Sequence, residues 1–298
     1  MYNYFFMSKF WFKINDNSIK KIYRMKICIC TIGKQENKYI LEYIEYYKNF
    51  GVDKIYLYDN NNINGEYFNN IAFDYINQGF IKVKNWRGIK SPQMMIYHDC
   101  YNNYYDKYDW IILNVSLFQI NKKILFIKVF LHQQKFKECQ NIQLNWLLYT
   151  DNNKLYYENK SLIKRFIEKD PYMNKRIISK FSNGKSILRG RIPNITIYNF
   201  HCISDKLQTC DGFGIKRKTL QKDYNYYYFK HYYCKSTQEF IEKLKKGDVY
   251  KISNHIKIKF YFGYNKITFE KLNYVEKETG MNLSLYKNKL MQKNFWKL

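Results

Sequence analysis

The sequence predicts a doubly wound α/β domain. Three observations predict it: apolar runs of strand length that stop at Gly, Asp or Asn, apolar residues at helical spacing between those runs, and repetition of the alternation as far as residue 120. The first core strand is "MKICICTIGK", which opens at Met25 and stops at Gly33 and Lys34. In "NKYILEYIEYYKNFG", Ile40, Leu41, Ile44 and Tyr47 recur at helical spacing, and Gly51 follows the last turn as a C-cap would. "VDKIYLYDNNN" is a second strand ending at Asp59. Strand, helix and strand joined by short turns make a βαβ unit, which requires a parallel pair and a right-handed crossover. A helix near Glu66 to Asn77, a strand at "FIKVKNW", a helix from about Pro92 to Tyr105 and a strand opening at Trp110 continue the series.

Beyond residue 121 the pattern is less regular. "KKILFIKVFLHQQKF" fits helix or strand, "CQNIQLNWLLYTDNN" is a strand ending in a turn, and "SILRGRIPNITIYNFHCISD" alternates like a strand before a loop. "KSTQEFIEKLKKGD" is a helix, with Ser236 as its cap, Glu239 at the capping-box position, and Phe240, Ile241 and Leu244 as its apolar face. No internal repeat and no Pro- or Gly-rich linker divides the chain. The expected organisation is a leader over residues 1–24 and a single domain over 25–298, with a nucleotide-binding half (25–120) and an acceptor-side half (121–298).

Composition bounds the function. A chain of 298 residues that is 46% apolar has ample material for a core. The 51 basic against 25 acidic side chains, a formal charge of +26, point to a polyanionic partner such as nucleic acid, a phosphate-rich substrate or an anionic membrane. Codon supply from an AT-rich genome would produce the same excess, given the abundance of Lys, Asn, Ile and Tyr. The seven cysteines are scattered and include no C-x-x-C pair, which excludes the usual zinc spacing and suggests reduced, buried thiols in a cytoplasmic protein. Lys9 and Lys13 interrupt the aromatic N-terminus before a signal-type apolar run forms, and no run reaches the length of a membrane span. At most, peripheral membrane contact is expected. The aromatic and basic "KDYNYYYFKHYYCK" would suit stacked bases and phosphates, but no nucleic-acid-binding motif accompanies it.

In doubly wound sheets, ligands bind beyond the carboxyl ends of the strands. Here those ends are Gly33 to Asn37, Asp59 to Asn62, Trp86 to Gly88 and Asn114 to Leu117. Taken in order, the segments "KQENKYILEYIEYYKNFGVDKIYLYDNN", "RGIKSPQMMIYHDCYNNYYDKYDWI", "NWLLYTDN", Arg165 with Phe166, Lys185-Ser186-Ile187, Phe200-His201 and "HYYCKSTQEFIEKLKKGD" resemble glycosyltransferase family 92 and its bacterial relatives. The resemblance implies a GT-A fold, the Rossmann-like mixed sheet flanked by helices of nucleotide-diphospho-sugar transferases. It also implies transfer of a sugar from a nucleotide-sugar donor to a saccharide or glycan hydroxyl, with inversion.

One stretch departs from the family. Where its strand ends in Asp-x-Asp-Glu-Phe to hold Mn²⁺ or Mg²⁺, this chain has Asn114, Val115, Ser116, Leu117 and Phe118. Neutral oxygens hold a hard divalent ion far more weakly than carboxylates do. The family's metal therefore has Asn114, Ser116 and His231 as its expected remnant site, with His201 a further imidazole in the shared C-terminal blocks. The resemblance gives Asp59 and Asn60 to the nucleoside, Lys34, Arg87 and Lys235 to phosphate, Glu36 to the same loop and Asp151 to the acceptor proton. Each has a plainer reading from the residues alone. Asp59 sits in good Asx-turn sequence, Glu36 precedes a helix that it could cap, and Asp-Asn-Asn at 151–153 is a turn. Two other functions stay open: a catalytically impaired relative that binds nucleotide or glycan, and a basic nucleic-acid-binding protein.

Overall fold

The structure is a computed structural model that describes residues 16–115, 118–120, 126–170, 184–197, 207–216, 226–246 and 253–295. A helix, α1 (Asp16–Arg24), precedes the first strand, β1 (Ile27–Gly33). There follow α2 (Asn37–Asn49), β2 (Lys54–Asp59), the short α3 (Phe68–Ile71) and α4 (Phe73–Asn77), β3 (Ile81–Asn85), α5 (Gln93–Tyr104) and β4 (Trp110–Val115). Strands β3, β2, β1 and β4 lie side by side in that order and all parallel, with Gly33 opposite Asp59 and Thr31 opposite Asn114.

The alternation in "ICICTIG" explains why β1 is central. Ile27 and Ile29 pack on one layer with Ile40, Ile44 and Tyr47 of α2, while Cys28 and Cys30 pack on the other with Ile96, Tyr97 and Cys100 of α5. Burial on both faces is what a parallel strand between two helical layers requires. Gly51, with φ of +91°, ends α2 as its position in the sequence suggests. Leu41 is 41% exposed, however, and Tyr43 takes its place on the buried face. The helix expected from Glu66 to Asn77 is interrupted at Ala72, whose φ of −98° and ψ of 12° are not helical, so that α3 and α4 are separate turns.

The second half turns the sheet from parallel to mixed. It contributes β5 (Phe118–Ile120), α6 (Ile127–Leu131), β6 (Asn141–Leu148), α7 (Leu162–Arg165), β7 (Gly184–Arg189), β8 (Thr209–Cys210) and β9 (Tyr228–His231). β7 runs antiparallel to β4 and to β6, β9 runs parallel to β6, and β5 closes the series antiparallel to β9. Thus the alternation in "SILRGR" is a strand only to Arg189. Helices α8 (Thr237–Lys246), α9 (Asn254–Tyr264), α10 (Phe269–Thr279) and α11 (Ser284–Phe295) follow. The first three share a core of Phe240, Ile241, Leu244, Tyr261 and Leu272.

The cap of α8 forms as its sequence predicts. The Glu239 amide donates to Ser236 Oγ at 3.3 Å, and the Ser236 amide donates to Glu239 Oε2 at 3.2 Å. The cysteines do not all remain thiols: Cys139 and Cys210 form a disulfide, their Cα atoms 5.8 Å apart, because β8 lies beside the start of β6. Cys28, Cys30, Cys100 and Cys234 are free and buried, and Cys202 lies outside the described residues. No helix among the described residues is long and apolar enough to cross a membrane.

Candidate functional site

Hydrogen bonds tie the strand-end loops into one wall. The Asn60 amide donates to Gly33 O at 3.0 Å, Trp86 N to Asp59 O at 2.9 Å and Gly88 N to Asn61 O at 2.8 Å, while Gln35 N donates to Asn61 Oδ1 at 2.6 Å. Gly33 is the residue that lets this wall close: a Cβ there would lie 2.7 Å from the Phe68 ring. Asn60 spends its side-chain amine on the β3 loop, donating to Trp86 O at 2.9 Å and Ile89 O at 2.8 Å.

Asp59 and Arg87 are both brought to this wall, as each other's partners. Asp59 Oδ1 accepts from the Asn61 amide at 2.9 Å, the Asx-turn geometry, and Oδ2 accepts from Arg87 Nη1 at 3.1 Å. The pair is buried, with the two side chains only 4% and 7% exposed. Arg87 also donates through Nη1 to the Glu66 carbonyl, and through Nη2 to Asn62 O at 2.6 Å, Ile63 O at 2.8 Å and Gly65 O at 3.0 Å, and it stacks on Tyr67. A guanidinium so engaged holds the loop after β2 in shape. Sequence reasoning, which gave it to phosphate, had no means of seeing those carbonyls.

A cluster of lysines stands at the end of β1. Glu36 makes no side-chain cap to α2; its Oε2 is 3.2 Å from Lys235 Nζ and its Oε1 is 3.0 Å from Lys246 Nζ. Burial alone would raise the Glu36 carboxyl, but Lys235 and Lys246 together hold it below its ordinary value. Burial lowers Lys235 despite Glu36 beside it, and burial with the charge of Lys246 lowers Lys34. Lys235 and Lys246 thus pair with the buried Glu36 carboxylate, and Lys34 stands near enough to feel the charge of Lys246. Lys246 was not among the sequence candidates, because the last turn of an amphipathic helix is ordinarily a solvated face.

Lys235 is positioned by a buried network that unites distant family segments. Its Nζ lies 4.1 Å from the centre of the Tyr39 ring. Arg165 Nη1 donates to the Tyr39 hydroxyl at 2.9 Å, and Arg165 Nη2 to Glu239 Oε2 at 2.5 Å. Lys235 itself has a φ of +52°, a left-handed backbone uncommon outside Gly and Asn.

The remaining candidates lie elsewhere. Asn114 is fully buried; its Nδ2 donates to the Tyr47 hydroxyl at 2.9 Å and its carbonyl accepts from Tyr97 at 3.1 Å. Its carboxamide is therefore part of the packing between β4 and α2. His231, at the end of β9, stacks on Trp146 with ring centres 4.4 Å apart. Asp151 is enclosed at the end of β6: Lys271 Nζ is 2.6 Å from Oδ2, the Tyr261 hydroxyl donates to the same oxygen at 2.6 Å, and the Asn153 amide donates to Oδ1 at 2.9 Å. Ser116, Leu117 and His201 lie outside the described residues. Among the described residues no group of three His, Cys, Asp or Glu side chains is placed to hold a metal. The family's divalent ion is not fitted by what is described here, since Asn114 offers a neutral side chain already bonded to a tyrosine.

A mixed sheet between helical layers, with its strand-end loops joined at the carboxyl ends of the parallel strands, is an α/β architecture of the kind that binds ligands at that edge. The sequence profile of glycosyltransferase family 92 matches residues 23–260, and the chain belongs to that family. No curated protein matches it significantly. Among solved structures, S. aureus TarS 1-349 in complex with UDP aligns over 91% of this chain and 78% of that chain, at 16% identity and a TM-score of 0.39. The same fragment with UDP-GlcNAc aligns over 86% and 80%, at 14% identity and a TM-score of 0.38. The inositol-1-phosphate CTP transferase from T. maritima aligns over 55% and 71%, at 12% identity and a TM-score of 0.28. Alignments this loose add nothing to the family assignment.

Proposed function

We propose that the chain transfers a sugar from a nucleotide-sugar donor to a saccharide or glycan hydroxyl with inversion, and that Lys34, Lys235 and Lys246 meet the charge of the leaving diphosphate in place of a divalent ion. In that reaction the acceptor oxygen forms a bond to the anomeric carbon while the bond from that carbon to the diphosphate breaks. The electron pair leaves on the diphosphate, and the acceptor hydroxyl's proton passes to a water molecule acting as base as the new bond forms. Stabilising the developing negative charge is the largest demand on the site. The observation that carries the proposal is the pairing of Lys235 and Lys246 with Glu36 beyond the carboxyl end of β1, with Lys34 near enough to feel the charge of Lys246, in a chain whose family metal motif is neutral.

Asp59 is the proposed nucleoside contact, held rigid by Arg87 and the Asn61 amide. Asp151 is read as a positioning residue: with Lys271 and Tyr261 on one oxygen, it anchors α9 and α10 to the end of β6. The loss of the acidic motif also supports a second reading, a relative that binds the donor without transferring the sugar.

The test is sugar-nucleotide turnover with and without EDTA, alongside calorimetry with nucleoside diphosphates, on the parent chain and on Lys235→Gln and Lys246→Gln. Turnover that survives chelation and falls at least tenfold in both variants supports the proposal. Binding weakened in both variants without any turnover selects the second reading. Turnover abolished by EDTA and restored by Mn²⁺ overturns the role given to the lysines.

A further inference from the structure

The opposite end of the sheet carries a second basic site. A cavity of about 530 Å³ opens beside the amino ends of β1 and β4, walled by α1, by the residues from Leu131 to Lys137 and by the end of β7. That volume falls in the range of small-molecule sites. It stands about 20 Å from the carboxyl end of β1, the length of the strand at roughly 3.3 Å per residue. It is therefore separate from the crevice described above.

The lining is one-sided in charge. Lys21, Arg24, Lys137, Arg189 and Arg191 line it with one carboxylate, Asp109, and with Trp110 and Phe136 among the apolar lining, while Glu138, outside the lining, also acts on Arg189. Among the described residues the one ion pair there is loose, Arg191 Nη2 lying 3.4 Å from Asp109 Oδ1 with the arginine 70% exposed. Lys21, Arg24 and Lys137 have no ion-pair partner among the described residues. An AT-rich composition explains many lysines on a surface; it does not explain how Arg189 and Arg191 are held.

Arg189 is fixed in place. Its Nε donates to Cys139 O at 2.8 Å and its Nη2 to Phe136 O at 2.6 Å and Lys137 O at 3.1 Å, over the Trp110 ring. The next residue can only be glycine, because a Cβ at Gly190 would lie 1.8 Å from the Tyr108 carbonyl oxygen. The chain then enters a left-handed turn at Arg191, φ +61°, closed by the Arg191 amide donating to Tyr105 O at 2.6 Å. Left-handed backbone at a non-glycine residue costs free energy and persists only where surrounding contacts impose it. The Arg-Gly-Arg step thus makes Arg189 a fixed part of the wall and sets the exposed Arg191 guanidinium at the cavity beside Lys21, Arg24 and Lys137, and guanidinium is the side chain best matched to phosphate oxygens.

We propose that this cavity at the amino end of the sheet binds a phosphoryl anion, either the phosphate of a soluble ester or that of an anionic lipid headgroup, independently of the donor crevice. Two probes separate the sources: sn-glycerol 3-phosphate by calorimetry, and sedimentation with phosphatidylcholine vesicles with and without phosphatidylglycerol. The full chain is compared with Arg24→Gln plus Lys137→Gln, with Arg191→Gln, with a charge-matched control on distant exposed lysines, Lys259→Gln plus Lys277→Gln, and with Lys235→Gln in the crevice. All four replace side chains without cutting the core, and melting temperatures check that they fold.

The expected result is binding of at least one probe, weakened tenfold or more by both cavity variants and less than twofold by the control and by Lys235→Gln. Binding of the ester identifies a soluble ligand, and binding to phosphatidylglycerol vesicles alone identifies a membrane headgroup; either supports the site. No binding of either probe, equal loss in the distant control, or loss confined to Lys235→Gln overturns it.

Discussion

Replacing Arg87 with alanine separates two roles that its position in the sequence leaves open. In the structure its guanidinium neutralises Asp59 and donates to four carbonyls between Asn62 and Glu66. Arg87→Ala would leave the Asp59 carboxylate, 3% exposed, with only the Asn61 amide as a partner among the described residues. Removing one member of a buried ion pair costs about 3 to 5 kcal/mol, because the remaining charge stays desolvated. For a chain of this size each kcal/mol lowers the melting temperature by roughly 2 to 4 °C, so a fall on the order of 10 °C is expected. Arg87→Lys should recover only part of it, since an ammonium cannot span acceptors arrayed around a planar fork. Differential scanning calorimetry and nucleoside diphosphate titration on the same samples make the measurement. An Arg87→Ala chain that melts within about 2 °C of the parent but binds diphosphate more than tenfold less tightly would refute the reasoning, and would make Arg87 a phosphate ligand.

Two further outcomes follow from buried groups. Asn114→Asp puts a carboxylate where a fully buried carboxamide now donates to Tyr47, so its pKa should rise on folding; stability then falls as pH climbs from about 4 through the folded value, by roughly 2 to 5 kcal/mol at pH 7. Urea titrations at pH 5 and pH 7 measure this, and equal stability at both would mean that a cation reaches the site. Lys185, buried in β7, is brought down to about 7 by desolvation. The folded state then sheds its proton before the unfolded state does, so stability should rise between pH 7 and pH 10. Lys185→Met should flatten that rise and stabilise the chain at pH 7 by up to about 4 kcal/mol; an unchanged slope would show that Lys185 is not its source.

What the sequence disclosed was the part in which one period dominates. β1, α2 and β2 were legible because "ICICTIG" buries alternate residues on two layers and α2 buries Ile40, Ile44 and Tyr47 on one. The reading weakened where apolar runs serve mixed pairings, as in β6, which meets β7 antiparallel and β9 parallel. The last three helices were missed although the caps of α9 and α10 are written in the chain: Ser253 and Thr268 accept from the amides of Ile256 and Lys271, and Gly280 takes the left-handed turn after α10. At the site, the sequence identified the strand ends that the structure ties together. It could not show that Arg87 would face inward to Asp59, or that Lys246, 210 residues from Glu36, would meet it. Such pairings depend on long-range packing and leave no local periodicity.

The neutral residues of the metal motif and the lysines around Glu36 make sense as one electrostatic arrangement. Two unit charges 4 Å apart at an effective dielectric near 20 interact by about 4 kcal/mol. Ammonium groups at a diphosphate can therefore supply part of the charge stabilisation that a divalent ion otherwise supplies, and on the proposed reading Lys34, Lys235 and Lys246 take that part in a chain with neutral residues at 114 and 116. Glu36 has a specific part in this: burial would raise its carboxyl but Lys235 and Lys246 hold it below its ordinary value, and its charge in turn opposes the burial that lowers Lys235. On the proposed reading, the donor diphosphate meets Lys235 and Lys246 already held in place by Glu36. Removing Glu36 would leave the buried Lys235 ammonium without this ion-pair partner.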